Sequence, residues 1–578
     1  MTEKHHRSAV SLKQTVGEFI IRRLKEAGIS HMFGVPGDYN LEFLEQVEAD
    51  KGLVWVGCCN ELNASYAADG YARTAGLAAL MTTYGVGELS ALCGIAGAYA
   101  EHVPVVAMSG APPLAEIERN ALVHHSAADG DFDNMMICAQ QFSVAQARLT
   151  PQNAVVEIDR CLRACILRKR PVYLQLPSDV SCITIDAPSE PFSCDFQSDG
   201  LLLDAFMERV SAKLQSAALT VLLIDADVAR FGLAEKIMSI SVALNAPMAS
   251  MGTAKGVIDE THPNYLGLYA GAYSQPGVQE VVEKADCVLL FGVRFIDATT
   301  GGFSERIKRT HRINVRDWSG EIEGEDFHGI SMADVVDRLS DGRHAEWRHG
   351  GAVAAERAVP PVADRAAPLR HEWFWKRMAV FLEAGDVVGA ENGTSLSGLS
   401  GVRLPRGVTV ISQALWGSIG YSLPAIFGSL IAAPERRHVL FIGDGSFQLT
   451  AQELSSILRH KLKPIIFLIN NDGYTIERLI LGETARFNDV QSWHYAKLCS
   501  VFGDSADFDS RRVSTVGELE DALTATAASE KCHFIELMME RMDAPQALKA
   551  LGPVYARLDY GTSWTLKTGR NSRKPFVE

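Results

Sequence analysis

The sequence predicts an α/β protein made of three doubly wound parallel-sheet domains. Two observations carry that reading. Short, continuous apolar runs rich in β-branched residues, such as HVLFIG at 438–443 and PIIFLI at 464–469, have the character of strands covered on both faces. Between such runs lie segments with helical periodicity, and this alternation gives a parallel sheet with helices on both sides. Two polar, proline-containing stretches, 187–200 and 341–370, interrupt the alternation and read as linkers. They divide the 578 residues into domains at 1–190, 200–345 and 370–578.

In the first block, FGVPGDYN reads as a turn after an apolar run, and CNELNASYAADGYAR as the start of a helix. Cys161 and Cys165 have the spacing of one helix face. The central block contains the strand-like runs TVLLIDA and CVLLFGV, but its FGVRF does not open a GxGxxG, so a dinucleotide fingerprint is absent and no FAD is expected. In the last block LTAQELSSILRHK is helical in period, and APQALKALGPVYARL near the end is amphipathic.

Composition limits the partners. A formal net charge of -15 argues against nucleic acid or an anionic membrane. The start, MTEKHHRSAVSLK, has no apolar signal core, and no apolar run reaches the ~18 residues of a membrane span, so a cytoplasmic protein is expected. Eleven cysteines are scattered without zinc-site or CxxC spacing, and free buried thiols are the default for all of them. His5 and His6 lie in a polar tail and carry no expected role.

The chemistry concentrates where two runs end. Gly443, Asp444 and Gly445 close HVLFIGDG, and Asn470 and Asn471 close PIIFLINN. A strand, crossover helix and parallel strand place their carboxyl ends side by side, so Asp444 and Asn471 can share one cation. Hard oxygen ligands suit Mg²⁺ or Ca²⁺, and Mg²⁺ is usually completed by water and substrate phosphates. The glycines admit backbone N–H groups to a diphosphate, and the helix start adds its positive end. GDG alone is a common turn and NNDG a common loop signal; the pairing in strand context separates this site from either.

This pairing resembles the diphosphate-and-magnesium motif of the thiamine diphosphate enzymes. CNELNASYAADGYAR (59–73), GVGELSALCGIAGAYAEHVPVV (85–106), LVHHS (122–126), WGSIGYSLPA (416–425) and NNDGYTIERLI (470–480) are similar to the 2-keto acid decarboxylases among them. The resemblance implies a pyrimidine-binding, a central and a diphosphate-binding domain, with thiamine diphosphate and Mg²⁺ as cofactors. Asp444, Asn471 and the Gly473 carbonyl are the implied metal ligands. Glu61 is the implied partner of a pyrimidine ring nitrogen, Ile419 the bulky support under the bent cofactor, and the Gly417 carbonyl the acceptor for its amino group. Thr394, Gly443, Gly445, Ser446, Thr475 and Ile476 complete the implied cofactor contacts.

Decarboxylation of a 2-keto acid leaves an acyl carbanion that needs an electron sink, which the thiazolium supplies as an enamine. Protonation and aldehyde release then need acid–base groups, and Asp38, His124, His125 and Glu477 match the family's relay positions. Carboxylates there are expected to have raised pKa values.

Substrate choice rests on Ala298, Asn392, Leu396, Ser397, Ile476 and Ile480. In ENGTSLSG, Leu396 and Ser397 stand where pyruvate-restricted relatives resemble ETGDSWFN, and Ala298 stands where they have tyrosine. An open pocket for indolepyruvate, phenylpyruvate or a branched-chain acid follows, with pyruvate decarboxylation or acyloin-forming carboligation as alternatives. GDGSFQLTAQE, APERR and the terminal NSRKP point instead toward bacterial pyruvate decarboxylases. The resemblance further implies a homodimer or homotetramer with Glu61 and the diphosphate site supplied by different subunits, and a carboxyl-terminal helix and tail (540–578) over the active-site mouth.

Overall fold

The computed structural model describes residues 11–341, 362, 364–527 and 529–568. His5, His6, most of the second linker and the terminal NSRKP lie outside the described residues. The chain forms two compact units, one of Met1–Phe196 with Pro424–Ala433, the other of Gln197–Leu423 with Pro434–Glu578.

The first unit holds a six-stranded sheet, in spatial order Val54–Gly57, His31–Gly34, Ala78–Thr82, Val105–Ala111, Val172–Pro177 and Gln146–Arg148. Every pairing is parallel. Numbered along the chain, the order is 2-1-3-4-6-5. On one face Met32, Ala79, Met81, Val106, Met108 and Leu174 are buried against helices Val16–Glu26 and Ala154–Arg168, whose Phe19, Ile20, Ile158 and Leu162 join the same core. Helix Glu61–Ala75 starts at Asn60, whose side chain accepts from the Asn63 N–H at 2.8 Å. Its Gly70 allows close approach, since a Cβ there would lie 1.9 Å from the Ala425 carbonyl oxygen.

The second unit contains two sheets. The central one runs Tyr265–Leu268, Met248–Ser250, Thr220–Ile224, Cys287–Phe291, Arg312–Val315, Ser319–Ile322 and Glu325–His328. It is parallel through Arg312–Val315 and ends in an antiparallel hairpin. The other is again six-stranded and parallel: Thr409–Ile411, Val387–Ala390, His438–Gly443, Ile465–Asn470, Cys532–Met538 and Phe508–Val513. Its order is also 2-1-3-4-6-5. Phe441 and Phe467 stack across adjacent strands at 5.3 Å, and Phe374 meets both edge-on. Such pairs add ~0.5–1.5 kcal/mol each beyond burial.

Cys161 and Cys165 are buried on one helix face, as the spacing predicts. Cys59, Cys93 and Cys182 are exposed, which corrects the expectation of burial for all the thiols. Cys93 lies on the exposed side of helix Val86–Ala100 together with Val86, Leu89 and Ser90. No helix among the described residues is long and apolar enough to cross a membrane.

Candidate active site

In the carboxyl-terminal sheet the chain order reverses between Val387–Ala390 and His438–Gly443. Ligands of open α/β sheets bind outside the carboxyl ends of strands at such a switch point. A cavity of about 520 Å³ opens there. It is lined by Thr394, Gly417, Ile419, Gly443, Asp444, Gly445, Ser446, Asn471, Gly473, Thr475, Ile476 and Glu477, which gathers every sequence-predicted cofactor and metal residue of this unit.

Asp444 opens the helix Asp444–Thr450 and is held by backbone donors. Its Oδ1 accepts from the Gly445 N–H at 2.9 Å and its Oδ2 from the Gly473 N–H at 3.0 Å. Burial pushes its pKa up to about 6 in spite of those bonds. Gly473 is at φ 111°, and a Cβ there would lie 2.3 Å from the Asn488 carbonyl, so only glycine allows this turn.

The Asn471 amide orientation decides what the cluster can hold. Thr475 Oγ1 lies 2.8 Å from the Arg541 carbonyl and 2.9 Å from the Asn471 amide. The other end of that amide lies 3.0 Å from the Gly473 carbonyl and 3.3 Å from Asp444 Oδ1, and its NH₂ turned inward donates to both oxygens. Turned over, the amide presents its oxygen beside the Gly473 carbonyl and Asp444, a donor set that fits a hard divalent cation.

Ala298, Asn392, Leu396, Ser397 and Ile476 also line the pocket. Ile480 does not line it, because it ends the helix Thr475–Ile480 one turn beyond Ile476. Tyr273 and Tyr555 do line it, so aromatic surface enters from positions the sequence comparison did not single out. Tyr555 belongs to the helix Gln546–Thr568, which also brings Leu548, Leu551 and Asp559 to the cavity. Burial raises the Glu477 pKa, and the neighbouring Asp559 adds to the effect.

Sequence reasoning missed Glu391. It is fully buried and accepts from Asn392 N–H (3.0 Å), Gly420 N–H (3.1 Å), Ser422 N–H (3.2 Å) and Ser422 Oγ (2.8 Å). Burial raises its pKa, and those four donors oppose the shift. By holding Gly420 it fixes Ile419, whose neighbour Gly417 sits at φ 71°. The signal was present: Glu391 ends the run VVGA just as Asp444 ends HVLFIG.

The first unit carries the remaining predicted residues. Asp38 lies in the turn closed by Gly37 and Asn40, after strand His31–Gly34. His124 Nε2 hydrogen-bonds Asp38 Oδ2, and His125 Nδ1 lies 3.7 Å from Asp38 Oδ1. The two imidazoles meet edge to face at 4.7 Å. Tyr39, also missed, stacks on His124 at 4.9 Å, with its hydroxyl 3.3 Å from Nδ1. Burial pushes the Asp38 carboxyl up, but the His124 hydrogen bond and the field of both histidines outweigh it and leave the pKa lowered. This corrects the expected raise, which assumed an apolar surrounding without a basic partner. Glu61, half-buried, opens the helix Glu61–Ala75.

Three family descriptions match in chain order: "Thiamine pyrophosphate enzyme, N-terminal TPP binding domain" at residues 14–135, the central domain at 207–325 and the C-terminal TPP binding domain at 395–537. The alpha-keto-acid decarboxylase of Mycobacterium avium (strain 104) is 42% identical over 553 residues, covering 93% of this chain and 96% of the relative. The chain belongs to the thiamine diphosphate-dependent 2-keto acid decarboxylase family. The like-named proteins of Mycobacterium ulcerans (strain Agy99) and Mycobacterium leprae (strain TN) are each 40% identical, over 95% and 93% of this chain and 98% and 95% of theirs. As a member of this family the chain binds thiamine diphosphate.

Proposed function

We propose that this decarboxylase releases aldehyde and CO₂ from 2-keto acids with large side chains, aromatic or branched, with Mg²⁺ beside the cofactor diphosphate. The cavity of about 520 Å³, with Ala298, Leu396 and Ser397 in its lining, carries that reading. Asp444, Asn471 and the Gly473 carbonyl hold the cation through oxygen, and the Gly445 and Ser446 backbone faces the diphosphate. Bound thiamine diphosphate supplies the electron sink that decarboxylation needs. Glu61 holds a proton at a pyrimidine ring nitrogen, and Ile419 sets the bend of the cofactor. Asp38, kept ionised, orients His124 and His125 to hold and deliver the proton that replaces the lost carboxylate. Glu477, with its raised pKa, stays protonated to higher pH than a free glutamate and serves as the second donor.

We infer a homodimer or homotetramer in which Glu61 of one copy serves the diphosphate cavity of another. Mixed subunits of Glu61→Gln and Asp444→Ala then regain part of the activity that each variant lacks alone.

The deciding experiment is steady-state aldehyde release from pyruvate, phenylpyruvate, indolepyruvate and 4-methyl-2-oxopentanoate, with and without thiamine diphosphate and Mg²⁺. Higher kcat/KM for the larger acids is expected. Preference for pyruvate would overturn the substrate reading and show that Tyr273 and Tyr555 fill the pocket; acyloin without free aldehyde would make the protein a carboligase.

A further inference from the structure

Between the proposed proton groups of the first unit runs the loop Gly85–Gly87, with no titratable side chain of its own. Gly85 sits at φ 60°, ψ -87°, outside the basins open to residues with a Cβ. A Cβ on it would lie 1.9 Å from the His125 carbonyl oxygen, and one on Gly87 would lie 3.1 Å from Glu61 Oε1. The loop therefore touches the histidine segment on one side and the activating carboxylate on the other. His125 is itself at φ 63°, a conformation that needs support from its surroundings.

What holds the loop is Glu88. Its Oε1 accepts from the Gly85 N–H at 2.7 Å, and its Oε2 takes the hydroxyl of Tyr173, which is buried in strand Val172–Pro177. The carboxyl group thus ties the Gly85 amide to the sheet.

Resting on the roles proposed above for Glu61 and His125, we propose that Glu88 is a positioning residue for both. By clamping the Gly85 N–H it fixes the loop against the His125 carbonyl and the Glu61 carboxylate, so that one side chain sets two proton-handling groups at once. Glu88 touches neither the substrate nor the cofactor in this scheme.

The test compares Glu88→Ala, Glu88→Gln and Tyr173→Phe. In cofactor-free protein, amide hydrogen exchange is read in peptides covering 59–65 and 120–127; in loaded protein, C2-proton exchange of bound thiamine diphosphate and aldehyde release are read. Glu88→Ala is expected to raise amide exchange in both segments about tenfold, as release of a locally held segment does. It should lower C2 exchange and kcat together by about 100-fold, the cost of a misplacement of ~1 Å, with KM and cofactor affinity retained. Glu88→Gln keeps an oxygen for the Gly85 N–H and is expected to recover most of both losses. Unchanged amide exchange at 120–127 in Glu88→Ala would overturn the proposal, as would Glu88→Gln failing as badly as alanine. Should Glu88→Ala not fold, Tyr173→Phe carries the test: it frees one carboxyl oxygen and should loosen both segments to a smaller degree, and no change in either would refute the clamp. If the wild type released no aldehyde from any 2-keto acid, the functional reading would fall, while amide exchange in the cofactor-free protein would still judge the clamp.

Discussion

The amino-terminal and carboxyl-terminal sheets share the strand order 2-1-3-4-6-5 and an all-parallel ladder, yet their switch points carry different chemistry. At the exit of the first strand the amino-terminal sheet presents Asp38, paired with histidines and held below the usual carboxylate range. The carboxyl-terminal sheet presents Glu391 after its first strand and Asp444 after its third, both desolvated and raised. The scaffold provides the place, and a handful of loop residues decide whether the carboxylate there keeps a basic partner or is buried among neutral donors. An exposed carboxylate with a basic partner stays ionised, whereas burial raises the pKa of one held only by neutral donors.

The comparison is broken most severely at Asp444. Asp444→Ala should weaken cofactor binding in the presence of Mg²⁺ by more than the roughly 100-fold that loss of an outer-shell metal partner costs, as measured by calorimetry. Thiamine diphosphate binding that persisted without Asp444 would move the cation elsewhere. On the other sheet, Glu61→Gln and His125→Ala should each lower kcat by ~10²–10⁴ with the cofactor still bound. They should differ from each other: C2-proton exchange of the bound cofactor is lost in the first and kept in the second, so equal loss in both would dissolve the assigned division of labour.

A third contrast is in stability. Burial lifts the Glu88 pKa from 4.5 to about 7, so the folded protein binds a proton that the unfolded chain has released. The contribution of Glu88 is complete below pH 4.5 and is lost as pH rises through about 7, by up to ~3 kcal/mol. Urea midpoints of wild type should therefore fall relative to Glu88→Gln across that window, and parallel curves would contradict it. The smallest expected effect is on substrate choice. Restoring one ring, by Ala298→Tyr or Leu396→Trp, should cut kcat/KM for phenylpyruvate relative to pyruvate about tenfold, the equivalent of ~1.5 kcal/mol of apolar burial.

Much of the carboxyl-terminal site was legible because its ligands sit directly at strand exits. HVLFIG and IIFLIN name their own ends, and a parallel crossover forces those ends together. Glu391 obeys the same rule and was passed over only because VVGA is a short run beside the more conspicuous Asn392. Tyr39 could not be read at all, since its stacking on His124 joins the first strand exit to a loop far along the chain. Tyr273 and Tyr555 were hidden for the same reason: they reach one cavity from a turn of the central domain and from the last helix.

By itself the sequence determined the strand runs, the glycines that only a left-handed or crowded backbone requires, and the carboxylate, amide and imidazole groups that make the chemistry, because each of these is a property of a residue and its near neighbours. The tertiary structure alone decided that the Asn471 amide sits between Asp444 and Thr475, that Asp38 is lowered while Asp444 is raised, and that Glu88 braces a loop between Glu61 and His125. Those outcomes depend on distances between groups remote in the chain, and on how much water each carboxylate loses, which no local pattern encodes.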